Sequence, residues 1–256
     1  MKKRLATASF IVMAVALAAA VPARAGWLSQ VKTRLGLGTE VFSRSLKDDA
    51  NAGSAKLSGT AFLLTSEFRF PGRFDLNVFA GLGLPKFNGL VFDNLPFSLE
   101  YQGGAVAGFL IGGEIRKKIV EFGDFEIGAA SRFVFSFGSN KTWPMTGFAE
   151  EGQAGGKPRW SEISLGPTLT YTGYERISPY LNVSLDRLSG TFRMAETMGE
   201  LEGVESKSIK GQGLVRVSFG AFYEASARLG LRAEAAVIPK KGGVDTGVSL
   251  RIFYVF

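Results

Sequence analysis

The sequence predicts an all-β chain folded as a transmembrane, antiparallel up-and-down β-barrel of about ten strands, within a range of about eight to twelve. Three observations carry this. Apolar and polar residues alternate over long stretches, the links between those stretches alternate between short and long, and the ionisable residues fall almost entirely on one parity.

The first stretch sets the pattern. Val31, Thr33, Leu35, Leu37, Thr39 and Val41 share one parity, against Lys32, Arg34, Gly36, Gly38 and Glu40 on the other. A period of two over this length means a strand with one apolar and one polar face. The same reading gives strands at 31–45, 57–70, 74–84, 103–116, 124–138, 160–173, 179–189, 211–224, 228–238 and 243–256. The second is blurred by Phe62-Leu63-Leu64. Pro167 falls inside the sixth, where it removes a ladder donor, and a closed barrel has no edge on which to place it. A bulge or a shorter strand is expected there.

The links come next. Pro71-Gly72-Arg73 and short links after the fourth, sixth and eighth strands belong to one end. Longer polar segments belong to the other, the largest at 139–159 and 190–210, and only Pro239 to Gly242 is brief on that side. Long loops at one end and short turns at the other fit a membrane barrel whose short turns and termini lie on the periplasmic side.

Charge decides which face meets lipid. The polar faces carry the bases Lys32, Arg34, Arg44, Arg69, Arg116, Arg132, Arg216, Arg232 and Arg251. They also carry the acids Glu40, Glu67, Asp75, Glu114, Glu126, Glu162, Asp186, Glu224, Glu234 and Asp245. Arg187 is the exception on the apolar faces. A charge facing lipid costs roughly 2–4 kcal/mol at mid-membrane, so the apolar faces point outward and the charges inward. Phe68, Phe70, Phe74, Phe125, Tyr171, Tyr223, Tyr254 and Phe256 share the outward parity near the periplasmic end, as an aromatic girdle at headgroup depth would.

Residues 1–25 read as a signal peptide and 26–256 as the barrel. Lys2, Lys3 and Arg4 precede an apolar run from Phe10 to Val21, and Ala23-Arg24-Ala25 supplies the small residues of a cleavage site at Ala23 and Ala25. The apolar run is shorter than the ~20 residues of a spanning helix. Cleavage would remove four bases and no acid from a formal charge of +7, leaving +3. That excess is too small to argue for nucleic acid. Cysteine and histidine are both absent.

The final stretch, GVSLRIFYVF, places Val248, Leu250, Ile252, Tyr254 and Phe256 on one parity. With the alternation across residues 26–256, it resembles the bacterial outer-membrane β-barrel proteins. In that family a last strand closing on a terminal phenylalanine is the signal read by the barrel-assembly machinery. The resemblance implies outer-membrane lipid, lipopolysaccharide, periplasmic chaperones and that machinery as partners, and no cofactor. It names no subfamily. The enzymes of this architecture, among them outer-membrane phospholipases, omptin-type proteases and lipid A deacylases, mostly rely on histidine. Without histidine those sites cannot be built, and no catalytic or metal site is expected. Asp48-Asp49 lacks such a partner and reads as a solvated loop. Gly152-Gln153-Ala154-Gly155-Gly156-Lys157-Pro158 fails as a phosphate loop, because Glu151 stands where the first glycine is needed and Pro158 where the magnesium-binding hydroxyl belongs.

Within the lumen, Lys32, Arg34, Glu67, Arg69, Asp75, Glu114, Arg116, Glu126, Glu224 and Arg251 gather toward the periplasmic end as a charge network. Inward positions higher up are often small: Gly36, Gly38, Gly81, Gly83, Gly104, Gly108, Ser136 and Gly138. The expectation is a cup opening outward above a charge-paired base. The expected role is a non-enzymatic barrel, largely plugged, presenting loops for surface contact or envelope integrity; the alternative is a narrow channel for small solutes or ions. The last strand should pair with the first, bringing Asp245 toward Arg44.

Overall fold

The computed structural model describes residues 31–48, 55–70, 74–102, 104–145 and 151–255. Its strands are β1 (Lys32–Asp48), β2 (Ala55–Phe70), β3 (Phe74–Phe92), β4 (Leu99–Gln102), β5 (Gly108–Phe122), β6 (Phe125–Gly138) and β7 (Lys141–Met145). They continue as β8 (Gly152–Tyr171), β9 (Ile177–Met198), β10 (Leu201–Gly211), β11 (Val215–Glu224), β12 (Leu229–Lys240) and β13 (Gly243–Val255). Ten of them close a ring in the order β1-β2-β3-β5-β6-β8-β9-β11-β12-β13, and β13 returns to β1. Each neighbour is antiparallel. The closing register runs from Arg34 opposite Val255 to Ser43 opposite Thr246. Closure removes every sheet edge at the level where lipid surrounds the barrel, as a backbone without water to solvate it requires.

The three remaining strands extend the wall beyond the ring. β4 adds to the end of β3, and β7 adds to the start of β8. The upper half of β9 leaves β11 and pairs with β10, whose last residues join β1 at Leu46 to Asp48. The segments 139–159 and 190–210, expected as loops, are therefore largely strand. β1, β3, β8 and β9 all run further than their alternation suggested.

In this extension the alternation inverts its sense, so it does not match the pattern of a membrane strand. Along the lower part of β9, Val183 and Leu185 point outward while Ser184 and Asp186 are buried inside. Above them Leu188, Phe192 and Met194 are buried inside, and Thr191 and Arg193 are exposed. β2 and β3 switch likewise, with Leu57 and Phe87 inside and Lys56 and Lys86 outside. Below the switch the wall is a membrane barrel; above it, the wall has the polarity of a water-soluble one.

Pro167 corrects an expectation. β8 neither bulges nor stops there: Ala129 stays opposite Pro167, and the register to β9 is the same on both sides of the gap. The ladder to β9 is simply interrupted at Gly166 and Pro167, and the Asn182 side-chain amide donates to the Pro167 carbonyl at 3.2 Å. The turns at the terminal end are tight. Gly123, with φ of 55°, supplies the left-handed residue of the two-residue link from β5 to β6. At the other end Gly242, with φ of 80°, does the same between β12 and β13. Val248, Leu250, Ile252 and Tyr254 face outward and are exposed; Phe256, Ala23 and Ala25 lie outside the described residues.

An arginine at Leu165, exposed midway along the outer wall, is expected to cost roughly 2–4 kcal/mol of folding stability in a bilayer. The same residue at Thr197, on the extension above the switch, should cost under about 0.5 kcal/mol. Denaturant titration in lipid vesicles measures both, and equal costs would contradict the assigned membrane level.

Candidate functional site

Among the described residues the lumen gathers most of the paired ionisable groups, and it is filled in layers. At the end that carries the short turns, Arg34 donates to Glu224 at 3.1 Å and lies 3.9 Å from Glu67, which also takes Arg69 at 3.2 Å. Asp75 sits in register between Arg69 and Arg116. Lys118 holds Glu126 and, at 2.6 Å, Glu121. Arg69, Asp75, Arg116, Lys118, Glu126 and Glu224 line a vestibule of about 280 Å³, whose other wall carries the hydroxyls of Thr168, Thr170 and Ser178. Lys32 stands exposed at the rim and makes no ion pair with a described residue.

The vestibule ends at a layer organised by two carboxylates. Glu114, buried, accepts Arg116 at 2.6 Å, the two terminal guanidinium nitrogens of Arg232 at 2.7 and 2.8 Å, and Arg251 at 3.3 Å. Glu234 accepts the Tyr180 hydroxyl at 2.7 Å and Arg232 at 2.9 Å. Aromatic faces fill the rest: Arg116 lies 4.6 Å from the Tyr180 ring and 5.1 Å from that of Phe222, and Arg251 lies 5.2 Å from Phe79.

A second hub follows above. Glu162 receives Arg216 at 2.9 Å, Arg44 at 3.1 Å and Arg132 at 3.4 Å. Arg44 continues to Asp186 at 2.6 Å, and Arg132 to Glu40 at 2.6 and 2.8 Å. Asp245 accepts the backbone N–H and the hydroxyl of Ser45, both at 2.8 Å, and lies 3.9 Å from Arg44, beside which the sequence had put it. Between the hubs only about 30 Å³ is left, against the roughly 10–15 Å³ that one water occupies.

Above the charges comes an apolar stopper. Leu46, Leu57, Phe87, Leu188, Phe192 and Ile209 are buried within the continuation of the wall. Phe192 is its centre, 4.8 Å from the Tyr101 ring, 5.2 Å from Phe87 and 5.7 Å from Phe92. Burial here pushes the Tyr101 phenol above its ordinary pKa. The segment from Asp93 to Ser98 lies across the top, clamped by two carboxylates of the extension: Asn94 N–H donates to Glu205 at 2.9 Å and Phe97 N–H to Glu196 at 3.2 Å.

The outward-opening cup is therefore corrected. Among the described residues the wide space is the vestibule at the opposite end, and the inward charges run on through the Glu162 layer above the base. Three of the small inward residues, Gly36, Gly38 and Gly138, leave no void because the side chains of neighbours lean over them. A side chain on Gly36 would meet the Phe253 ring at 3.0 Å, one on Gly38 the Arg251 stem at 2.9 Å, and one on Gly138 the Pro158 ring at 2.5 Å. Parity alone identifies which residues face inward, but not how far their partners lean along the axis. Of the ten charges singled out from sequence, seven line the vestibule or join the Glu114 layer, Arg34 and Glu67 pair beside them, and Lys32 stands apart. Arg44, Arg132, Glu162, Asp186, Arg216, Arg232 and Glu234 complete the network, and their inward parity was the signal for them. Tyr180 was missed because its ring reads as apolar while its hydroxyl serves Glu234.

A closed wall with a lipid-compatible exterior and a lumen filled by its own side chains defines a transmembrane β-barrel. No protein-family model and no curated protein matches the sequence. Among solved structures the chain is similar to the outer membrane protease OmpT from Escherichia coli, at 10% identity over 88% of this chain and 96% of that one, with a TM-score of 0.48. It is similar to the translocator domain of autotransporter NalP from Neisseria meningitidis, at 12% identity over 100% and 98% of the two chains, with a TM-score of 0.46. It is also similar to Ail, the attachment invasion locus protein of Yersinia pestis, at 11% identity over 88% and 98%, with a TM-score of 0.36.

Removing one partner from a desolvated ion cluster strands the others. Glu114→Gln is expected to lower unfolding free energy by about 3–5 kcal/mol. Glu224→Gln, whose side chain is 54% exposed, should cost no more than about 1 kcal/mol. Urea denaturation of the refolded barrel compares the two, and a Glu114→Gln cost as small as that of Glu224→Gln would dissolve the hub assignment.

Proposed function

We propose that this chain is an integral outer-membrane barrel with no enzymatic role, plugged by its own side chains, whose extended end contributes surface contact or envelope integrity. The observation that carries this reading is the continuous filling of the lumen, from the Glu114 layer through the Glu162 layer to the stopper around Phe192. A pore needs a water path, and here the path would have to cross charge pairs already bonded to one another and then a layer of aromatic rings. In this reading the short turns face the periplasm and the extension faces the exterior. The absence of histidine and cysteine supports a non-enzymatic role by removing the imidazole and thiol on which most acid–base and covalent chemistry depends.

A narrow channel for small solutes is the second reading, and the vestibule of about 280 Å³ is the observation in its favour. The two part in planar bilayers. The plugged reading expects no discrete conductance steps from the wild-type barrel over hours of recording. Steps that disappear on Glu114→Gln or Arg34→Gln would overturn it.

A further inference from the structure

The outer wall carries a feature that neither lipid solvation nor the plugged lumen explains. Outward positions of the ten ring strands bear no carboxylate among the described residues, yet they bear bases above the apolar band. Most are lysines. The outward arginines of the described strands are Arg159, Arg187 and Arg193, all on β8 and β9. Lys157 and Arg193 stand directly opposite each other across these two strands, both exposed. Like charges in directly opposed positions destabilise a sheet unless something negative lies over them. None of these four bases makes an ion pair with a described residue.

Beneath Lys157 and Arg193, and above Arg187, lies a groove of about 370 Å³ on the same face. Its flank is Phe135 and Phe137 of β6, and its floor is Ser161, Ser189 and Gly190. The registers set these residues in rows. Phe137, Arg159 and Thr191 form one row, Phe135, Ser161 and Ser189 the next, and Phe133, Ile163 and Arg187 the one below. From the girdle residue Tyr171 to Ser161, β8 advances ten residues. At about 3.3 Å each and a tilt of about 40°, that is a rise of roughly 25 Å, the height of the apolar band. Ser161 and Arg159 then meet the outer-leaflet headgroups while the phenylalanines border acyl chains.

We propose that this face binds a multiply phosphorylated glycolipid of the outer leaflet, with phosphate on Lys157, Arg159 and Arg193 and an acyl chain in the groove beside Phe135 and Phe137. Three cations, Lys157, Arg159 and Arg193, with no carboxylate at the outward positions of the ring strands call for more negative charge than the single charge of a glycerophospholipid headgroup supplies. Guanidinium groups match phosphate oxygens two at a time, which accounts for arginine here and lysine elsewhere on the belt. The hydroxyls of Ser161, Ser189 and Thr191 suit a sugar better than a glycerol. The site rests on the membrane orientation given above but not on the lumen being closed.

The test is native mass spectrometry of the purified barrel in detergent, titrated with bisphosphorylated lipid A, its dephosphorylated form and phosphatidylglycerol. Wild type should retain the bisphosphorylated lipid at concentrations where the other two dissociate. The variant Lys157→Gln/Arg159→Gln/Arg193→Gln should bind it at least about tenfold more weakly, the loss of one or more charge-assisted hydrogen bonds. Lys56→Gln/Lys86→Gln, on the belt at β2 and β3, should change binding less than about twofold. Undiminished binding by the triple variant, or phosphatidylglycerol bound as tightly as lipid A, overturns the site. Heat-modifiable gel mobility checks that each variant is a folded barrel; should the triple variant not fold, Arg159→Gln alone must weaken binding measurably or the site is refuted. Loss of that mobility in the wild type would instead fail the barrel reading, and conductance steps would fail the plugged one.

Discussion

The structure follows from the cost of placing charge against hydrocarbon. Lipid on the outside admits almost no ionised group, so the acids and bases of the ring strands are driven to the lumen. There, each would bear a desolvation penalty of several kcal/mol if left alone. Sharing resolves the problem. Glu114 and Glu162 each serve three arginines, and those arginines reach on to Glu234, Asp186 and Glu40. The choice of arginine over lysine is part of the solution. A planar fork with five donors bridges two carboxylates on different strands, whereas a lysine at the same point would serve mainly as a point charge. Lysine appears inside the ring at the rim, as Lys32 and Lys118, where water finishes the solvation.

The same constraint explains the inversion along each long strand. Where lipid ends, the penalty that kept the exterior apolar vanishes, and the ordinary preference of water for a polar exterior takes over. β9 crosses this boundary without a break in its backbone, changing from Leu185 outside and Asp186 inside to Leu188 inside and Arg193 outside. One strand thus belongs to two solvents. The stopper around Phe192 is the core of the water-facing part, held by ordinary hydrophobic burial rather than by ion pairs.

That boundary also marks what the sequence could disclose. Ring closure, the ten ring strands and the inward or outward direction of most membrane side chains followed from parity, because lipid enforces parity strictly. Above it the alternation of 190–198 remained visible but looked like polar loop, since Thr191, Arg193 and Thr197 are not what a membrane strand shows outside. The cup failed for a different reason. Gly36 and Gly38 were read as space, but a glycine in a twisted wall is also a seat for a cross-strand neighbour, and Phe253 and Arg251 take those seats. Axial reach and lean are properties of the closed ring, not of any one strand.

A lumen filled in this way limits where anything can act. Among the described residues, the side chains that fill the lumen come from the strands that form the wall. Arg44 on β1, Glu162 on β8 and Arg216 on β11 meet across the interior, so opening a path would mean pulling the staves apart. Even the cap is tied to the wall, through Glu196 on β9 and Glu205 on β10. In the plugged reading proposed above, transport would have to break these interactions. Binding to the exterior demands no such rupture, and the surfaces left available are the extended end, the vestibule and the lipid-facing belt.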